Sequence, residues 1–279
     1  MNQSLKWKGR FMSDNPVVIV TGASRGVGAF IARWLGKVGA CVTLVARSHE
    51  PLERVAQDVE RLGGMALTIH GDVAIEETCR GTVEKTIDRF GQVDALVNNA
   101  GIFQPMAPVA SADAEAWNYN IQVNLLGPFH MAKAGIPHLL KQKGRIINVG
   151  SGAANIPVPA GSAYCASKAA LVQFTRVLAA EEPSLTVLSV RPGVVDTEMQ
   201  ALIRREGAKA MAPEQVAYYQ SLKTEGELEP PAVPARAIAW LSLHAPRDWT
   251  GQFRNYDDPE IMAPSIAVFG ERLEAPSQP

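Results

Sequence analysis

The chain has 279 residues, 47% of them hydrophobic and 20% charged, with 27 basic against 28 acidic side chains. That near-neutral balance lacks the basic stripe that phosphate-backbone binding requires, and no apolar run approaches the ~18 residues of a membrane span, so nucleic acid and membrane partners are excluded. Cys41, Cys79 and Cys165 are odd in number and far apart, which gives no disulfide framework and no metal motif and fits a reducing cytoplasm.

Residues 1–15 carry Lys6, Lys8 and Arg10 around Trp7 without the apolar stretch of a secretion signal, and read as an N-terminal tail. The run Val17-Val18-Ile19-Val20 opens a series of short, nearly continuous apolar segments that continues with 42–45, 66–69, 95–97, 146–149 and 187–190. Strands buried on both faces have this character, so the series predicts a parallel sheet covered by helices above and below. Between the first two strands, Val27, Phe30, Ile31, Trp34, Leu35 and Val38 form an amphipathic helical stripe that stops before Gly39. Further helices are expected over 50–62, 75–90, 113–141, 162–182 and 232–244, and a last short strand over 253–256. Strand and helix alternate without a linker or repeat. The fold class is therefore α/β, a single Rossmann-type doubly wound parallel sheet of about seven strands occupying 16–258. The segment 194–230 reads as a flap over the carboxyl edge of the sheet. The proline-rich segment 259–279 reads as a C-terminal tail lying over the surface or reaching a neighbouring subunit.

The first strand runs directly into Thr21-Gly22-Ala23-Ser24-Arg25-Gly26-Val27-Gly28 and then into the helix, which is where open α/β sheets bind ligands. Gly22, Gly26 and Gly28 allow a tight turn, close approach of a pyrophosphate and tight packing of helix on sheet, and the helix N-terminus favours negative charge. A glycine turn before an ordinary core helix is the plain alternative. The second strand ends at Ala46-Arg47-Ser48, where an acidic side chain would hold the ribose 2′-hydroxyl of NAD. A guanidinium stands there instead. Arg47 and Arg25 on either side of the adenosine ribose would clamp a 2′-phosphate, so the cofactor expected is NADP(H); solvated surface charges are the alternative.

Tyr164 and Lys168 lie four apart on the 162–182 helix and so share a face. Tyrosine titrates near ~10, and a cation within about 4–6 Å lowers that value, so the pair reads as a proton donor beside a cation. A rim tyrosine and a solvated lysine would share the same spacing.

Together with the glycine loop and Tyr164-x-x-x-Lys168, four further pieces follow in order. They are Asn98-Asn99-Ala100-Gly101, Asn124-Leu125-Leu126-Gly127, Ser151 placed thirteen residues before Tyr164, and Pro192-Gly193 with Thr197. The whole pattern resembles the short-chain dehydrogenase/reductase superfamily over roughly residues 16–258. The resemblance implies that the first loop, with Ser24 and Val27, cradles the dinucleotide, that Asn99, Ala100 and Gly101 steady the sheet beside the adenosine, and that Asp72 and Val73 lie against adenine. It implies Pro192, Gly193, Val195 and Thr197 at the nicotinamide. It further implies Ser151 as hydrogen-bond donor to a substrate carbonyl, Tyr164 as proton donor, Lys168 as tuner of Tyr164 and holder of the ribose, and Asn124 as the residue keeping a water that links Lys168 to solvent. The implied activity is reduction of a small carbonyl substrate by a homodimer or homotetramer. Residues 178–183, 196–200, 222–226 and 255–257 are similar to the sepiapterin reductase and benzil reductase branch, whose members reduce vicinal dicarbonyls. Arg254, however, stands where the pterin-gripping carboxylate is expected. Phe103, Ile156, Pro157, Met199 and Leu202 would make an apolar substrate pocket, unless they serve as core. Two rival functions stay open: a dinucleotide-binding sensor or scaffold without turnover, and a same-fold alcohol, steroid or sugar dehydrogenase running oxidatively.

Overall fold

The computed structural model describes residues 15–273; the expected N-terminal tail, apart from residue 15, lies outside them. Seven strands, β1 (Val17–Thr21), β2 (Cys41–Ala46), β3 (Met65–His70), β4 (Ala95–Asn98), β5 (Arg145–Val149), β6 (Thr186–Arg191) and β7 (Phe253–Asn255), form one sheet in the order β3-β2-β1-β4-β5-β6-β7. Every pairing is parallel. The connection reverses direction between β1 and β4, which opens a crevice at the carboxyl ends of those strands.

Alternation along the strands divides the interior into two layers. Val18 and Val20 of β1 face one side, packed with α1 (Gly26–Lys37), α2 (His49–Arg61) and α9 (Ala232–His244). Ile19 faces the other, packed with α3 (Glu76–Phe90), α5 (Gly127–Gln142) and α6 (Ser162–Glu181). Because both faces are covered, apolar side chains dominate the strands, and the buried polar ones among them are paired, as Asn98 with Asn148 at 2.8 Å and Thr43 with Thr86 at 2.9 Å.

Two elements differ from the sequence expectation. The helix expected over 113–141 is two helices, α4 (Ala114–Ile121) and α5, joined by a π-helical turn at Gln122–Leu126. The turn displaces the helical face by nearly one residue without breaking the run of helix, and such insertions are frequent at functional sites. The segment from residue 259, read as a surface tail, forms α10 (Pro259–Phe269), with Ile261 and Phe269 in the same core layer as α1 and α9. Pro259 sits at the first helical turn, where its missing N–H would have had no partner in any case. Phe269 meets Trp34 with ring centroids 5.8 Å apart, and burying a side chain of that size stabilises by about 1.5–3 kcal/mol.

Helices α7 (Glu198–Glu206) and α8 (Pro213–Thr224) occupy the flap segment. Ile203 of α7, Val216 and Tyr219 of α8, and Met211 between them join Phe103, Val158 and Tyr164 in a small cluster separate from the two sheet layers. Lys223 Nζ to Asp196 Oδ2, 2.6 Å, ties α8 to the loop after β6.

Candidate active site

A cleft of about 880 Å³ runs along the carboxyl ends of β1, β2, β4, β5 and β6, from Ala46-Arg47-Ser48 at one end to Tyr164, Met199 and Tyr219 at the other. Along its wall the structure gathers Gly22, Ser24, Arg25, Gly26, Val27, Arg47, Asp72, Val73, Asn99, Ala100 and Gly101, then Ser151, Tyr164, Lys168, Pro192, Gly193, Val195 and Thr197.

The glycine turn is built by close approach. Gly22 and Gly26 have φ of 65° and 55°, the left-handed region that glycine adopts freely. Gly28 lies behind the cleft wall: a Cβ there would sit 2.3 Å from the Gly22 carbonyl oxygen and 2.4 Å from Asn99 Nδ2, so this glycine lets α1 close onto the loop. Asn99 Nδ2 donates to the carbonyls of Thr21 and Gly22 at 2.9 and 3.3 Å, and Thr21 Oγ1 accepts from the Asn99 and Ala100 backbone N–H groups at 3.0 Å each. The loop after β4 therefore clamps the loop after β1 across the reversal of strand order.

At the opposite end, Ser151 follows β5 in extended conformation, and its Oγ accepts from Ala153 N at 3.2 Å. Tyr164 and Lys168 point into the same wall from α6. Lys168 is buried, donates to the Val149 carbonyl at 2.7 Å, and holds its Nζ 5.8 Å from the Tyr164 ring centre. Burial depresses its pKa to about 8. Phe103 packs on Tyr164 at 5.1 Å between ring centres. The Tyr164 phenol itself is raised above its ordinary value, burial being the largest cause; interaction with the Ser151 hydroxyl opposes this, and the neighbouring Cys165 raises it further. The sequence expectation that Lys168 lowers Tyr164 is corrected on this point. Desolvation disfavours phenolate and ammonium alike.

Asn124 lies in the π-helical turn, fully buried and off the cleft wall. Its Oδ1 accepts from Ile102 N at 2.9 Å, and its Nδ2 donates to Ile102 O at 2.9 Å, Asn120 Oδ1 at 2.9 Å and Ser167 Oγ at 3.1 Å. Asn120, which sequence reasoning missed, reaches the carbonyls of Ile102 and Gln104 at 3.1 and 2.6 Å. The pair holds the loop after β4 against α6, behind Gly101, where a Cβ would stand 3.3 Å from Asn124 Oδ1 and 3.6 Å from Lys168 Nζ. Asparagines at 120 and 124, one helical turn apart, were the available signal.

Of the expected substrate residues, Phe103, Ile156, Met199 and Leu202 line the cleft, whereas Pro157 does not. Pro157 is exposed and turns outward between Ile156 and Val158, and Val158 takes the inward place. Tyr218 and Tyr219 of the flap complete that end. Arg254 also lies away from the cleft. Its Nε donates to Asp258 Oδ2 at 2.8 Å, it pairs with Glu260, and it stacks over Trp249 at 4.2 Å, which anchors β7 to α10.

The model for the family described as short chain dehydrogenase matches residues 16–208. The chain belongs to the short-chain dehydrogenase/reductase family. It is 39% identical over 240 residues to an uncharacterized oxidoreductase of Schizosaccharomyces pombe, a match covering 85% of this chain and 94% of that one. The crystal structure of a Saccharomyces cerevisiae short-chain dehydrogenase/reductase superposes with a TM-score of 0.84 at 34% identity, covering 88% of this chain and 98% of the other. That of 3-oxoacyl-[acyl-carrier protein] reductase from Brucella melitensis, in complex with NAD, superposes with a TM-score of 0.76 at 27% identity, covering 88% and 96%.

This chain is thus an oxidoreductase of a family that binds the NAD(P) dinucleotide. Its own residues fit such a group. The turn at Gly22 and Gly26 is a cradle without side chains, a Cβ at Gly26 would approach Thr197 to 3.3 Å from across the cleft, and the wall runs unbroken from Arg47 to Gly193. Among the described residues no cluster of His, Cys, Asp and Glu could hold a metal ion, and no helix is long and apolar enough to cross a membrane.

Proposed function

We propose that the chain is an NADPH-dependent carbonyl reductase acting on ketones or vicinal dicarbonyls with apolar substituents. The observation that carries this reading is the convergence of Ser151, Tyr164 and Lys168 on the wall of a cleft whose far end presents Arg25 and Arg47.

The glycine turn would hold the pyrophosphate, Arg25 and Arg47 the 2′-phosphate, and Pro192 to Thr197 the nicotinamide. When bound, the reduced nicotinamide supplies hydride to the carbonyl carbon. Ser151 Oγ already accepts from Ala153 N, which leaves its O–H to donate to the carbonyl oxygen where charge develops. Tyr164, a phenol protonated at neutral pH, delivers the proton to that same oxygen. Lys168, placed by the Val149 carbonyl, supplies the cation that offsets the phenolate left behind. Asn124 and Asn120 fix the loop after β4 against Ser167, the residue before that lysine. A binder without turnover would have no use for a phenol at this place. Phe103, Ile156, Val158, Met199 and Tyr219 give the substrate end an aromatic and aliphatic character suited to aryl or alkyl diketones. The NADPH preference rests on this chain's own arginines. A homo-oligomer fits the exposed Leu126, Phe129 and Val177 around α5 and α6, and sedimentation velocity reads it directly.

The test is NADPH oxidation by the full chain against a panel of vicinal diketones, aryl ketones and aromatic aldehydes. Tyr164→Phe is expected to lower turnover by about 10²–10⁴, the usual worth of general acid catalysis, and equal rates in the two proteins would refute the assignment. Arg47→Asp is expected to move preference toward NADH.

A further inference from the structure

Arg47 does not stand alone at the rim of the cleft. Its Nη1 donates to the Tyr119 hydroxyl at 2.6 Å, and that hydroxyl donates to Asp72 Oδ2, also at 2.6 Å. The same Nη1 remains 3.8 Å from Asp72 Oδ2, outside direct hydrogen-bond range. The other carboxylate oxygen, Oδ1, accepts from Ala74 N at 2.9 Å, so Asp72 is fixed by its own loop. Tyr119 is held on α4, one turn before Val123 on the cleft wall, and its phenol is raised above the ordinary value by burial and by Asp72, which keeps it a neutral donor. Arg47 Nε and Nη2 take no partner among the described residues.

From this geometry we propose that Tyr119 is a positioning residue for cofactor selectivity: its hydroxyl stands between Asp72 and Arg47 and presents the guanidinium to the 2′-phosphate. The inference rests on the NADPH reading above and adds the residue that makes Arg47 effective there. A guanidinium on a flexible stem loses rotamer freedom when it binds a phosphate; one already held by one nitrogen loses less, while its remaining N–H groups stay directed outward. The hydroxyl also occupies the Asp72 oxygen nearest the arginine. Without it, that carboxylate oxygen loses its donor, and Arg47 is the cation close enough to replace it. The guanidinium would then fold onto Asp72, away from the ribose, and the carboxylate's charge would offset part of its own.

The test compares binding of adenosine 2′,5′-bisphosphate and 5′-AMP by isothermal titration calorimetry, using the full chain, Tyr119→Phe, Arg47→Leu and the double variant. These ligands report the adenosine end without turnover. Tyr119→Phe is expected to weaken the bisphosphate about tenfold, the scale of a hydrogen bond to a charged group, and to leave 5′-AMP within about twofold. In the Arg47→Leu background the same substitution is expected to add nothing, since Tyr119 acts through the arginine. Equal weakening of both ligands, or an undiminished further loss in the double variant, overturns the proposal and makes Tyr119 a packing residue. If Arg47→Leu discriminates between the ligands while Tyr119→Phe does not, this inference falls and the NADPH reading stands. If Arg47→Leu leaves the ratio of the two affinities unchanged, the arginine assignment falls and this inference falls with it. Melting temperatures of all four proteins accompany the titrations, and a bisphosphate loss confined to Arg47-containing protein supports the proposal whatever the change in stability.

Discussion

Replacing Lys168 by methionine should make the protein more stable while removing its turnover. In the fold this lysine is buried and its pKa falls from 10.5 to about 8, with burial as the cause. Below pH 8 it is charged in both folded and unfolded chains, and the folded state bears the desolvation cost in full. Between pH 8 and 10.5 the folded lysine loses its proton while the unfolded one keeps it, so this penalty is relieved as pH rises. At about 1.4 kcal/mol for each tenfold change in proton affinity, the penalty at neutral pH is about 3 kcal/mol. Methionine removes it but also removes the 2.7 Å bond to the Val149 carbonyl, whose loss costs about 1 kcal/mol. The net expectation is a gain of about 2 kcal/mol, or roughly 4–8 °C in melting temperature for a domain of this size. Calorimetry of both proteins at pH 7 and pH 10 is the assay, since the difference between them cancels every other titrating group. The advantage of the variant should shrink at the higher pH. A variant less stable than wild type at pH 7, or an advantage that grows with pH, would show that Lys168 is not held against its own desolvation.

Three further outcomes follow from the geometry. Gly28→Ala puts a Cβ 2.3 Å from the Gly22 carbonyl, so a loss of about 1–3 kcal/mol with weakened dinucleotide binding is expected, read by thermal melting and by nicotinamide fluorescence; unchanged values in both would mean that the loop yields freely. Phe269→Ala should cost about 3–5 kcal/mol in urea unfolding, as for any buried core phenylalanine, whereas a surface tail would give almost nothing. For kcat/KM in the reductive direction, a decline above about pH 8 is expected as Lys168 loses its charge; a profile flat to pH 10 would remove the lysine from the proton step.

The parallel sheet was legible because its strands are buried on both faces, so Val17 to Val20 and Ile146 to Val149 announce themselves as short apolar runs. The glycine turn was legible because its chemistry is local to eight residues. What escaped depended on longer-range or finer geometry. The π-helical turn at Gln122–Leu126 lies inside an unbroken helical run with no glycine or proline within the turn to mark it, and shows itself through the buried contacts of Asn120 and Asn124. Helix α10 was obscured by Pro259 and Pro264, although Ile261 and Phe269 carry its buried face. Pro157 and Val158 are adjacent and both apolar, and only the turn after Ser151 decides which faces inward. The elevated Tyr164 phenol could not be read from spacing to a cation, because the spacing does not reveal how far packing against Phe103 and the flap desolvates it.

The cluster of Phe103, Ile203, Met211, Met199 and Tyr219 is assembled apart from the two layers that stabilise the sheet. On the reading proposed above, tolerance to change should therefore be uneven: side chains in α7 and α8 can be exchanged to reshape which molecules are accepted, with the two sheet layers left intact. Methionine thioethers there conform to ligands of different outline. A family scaffold built this way can diversify its chemistry by revising one short stretch of chain.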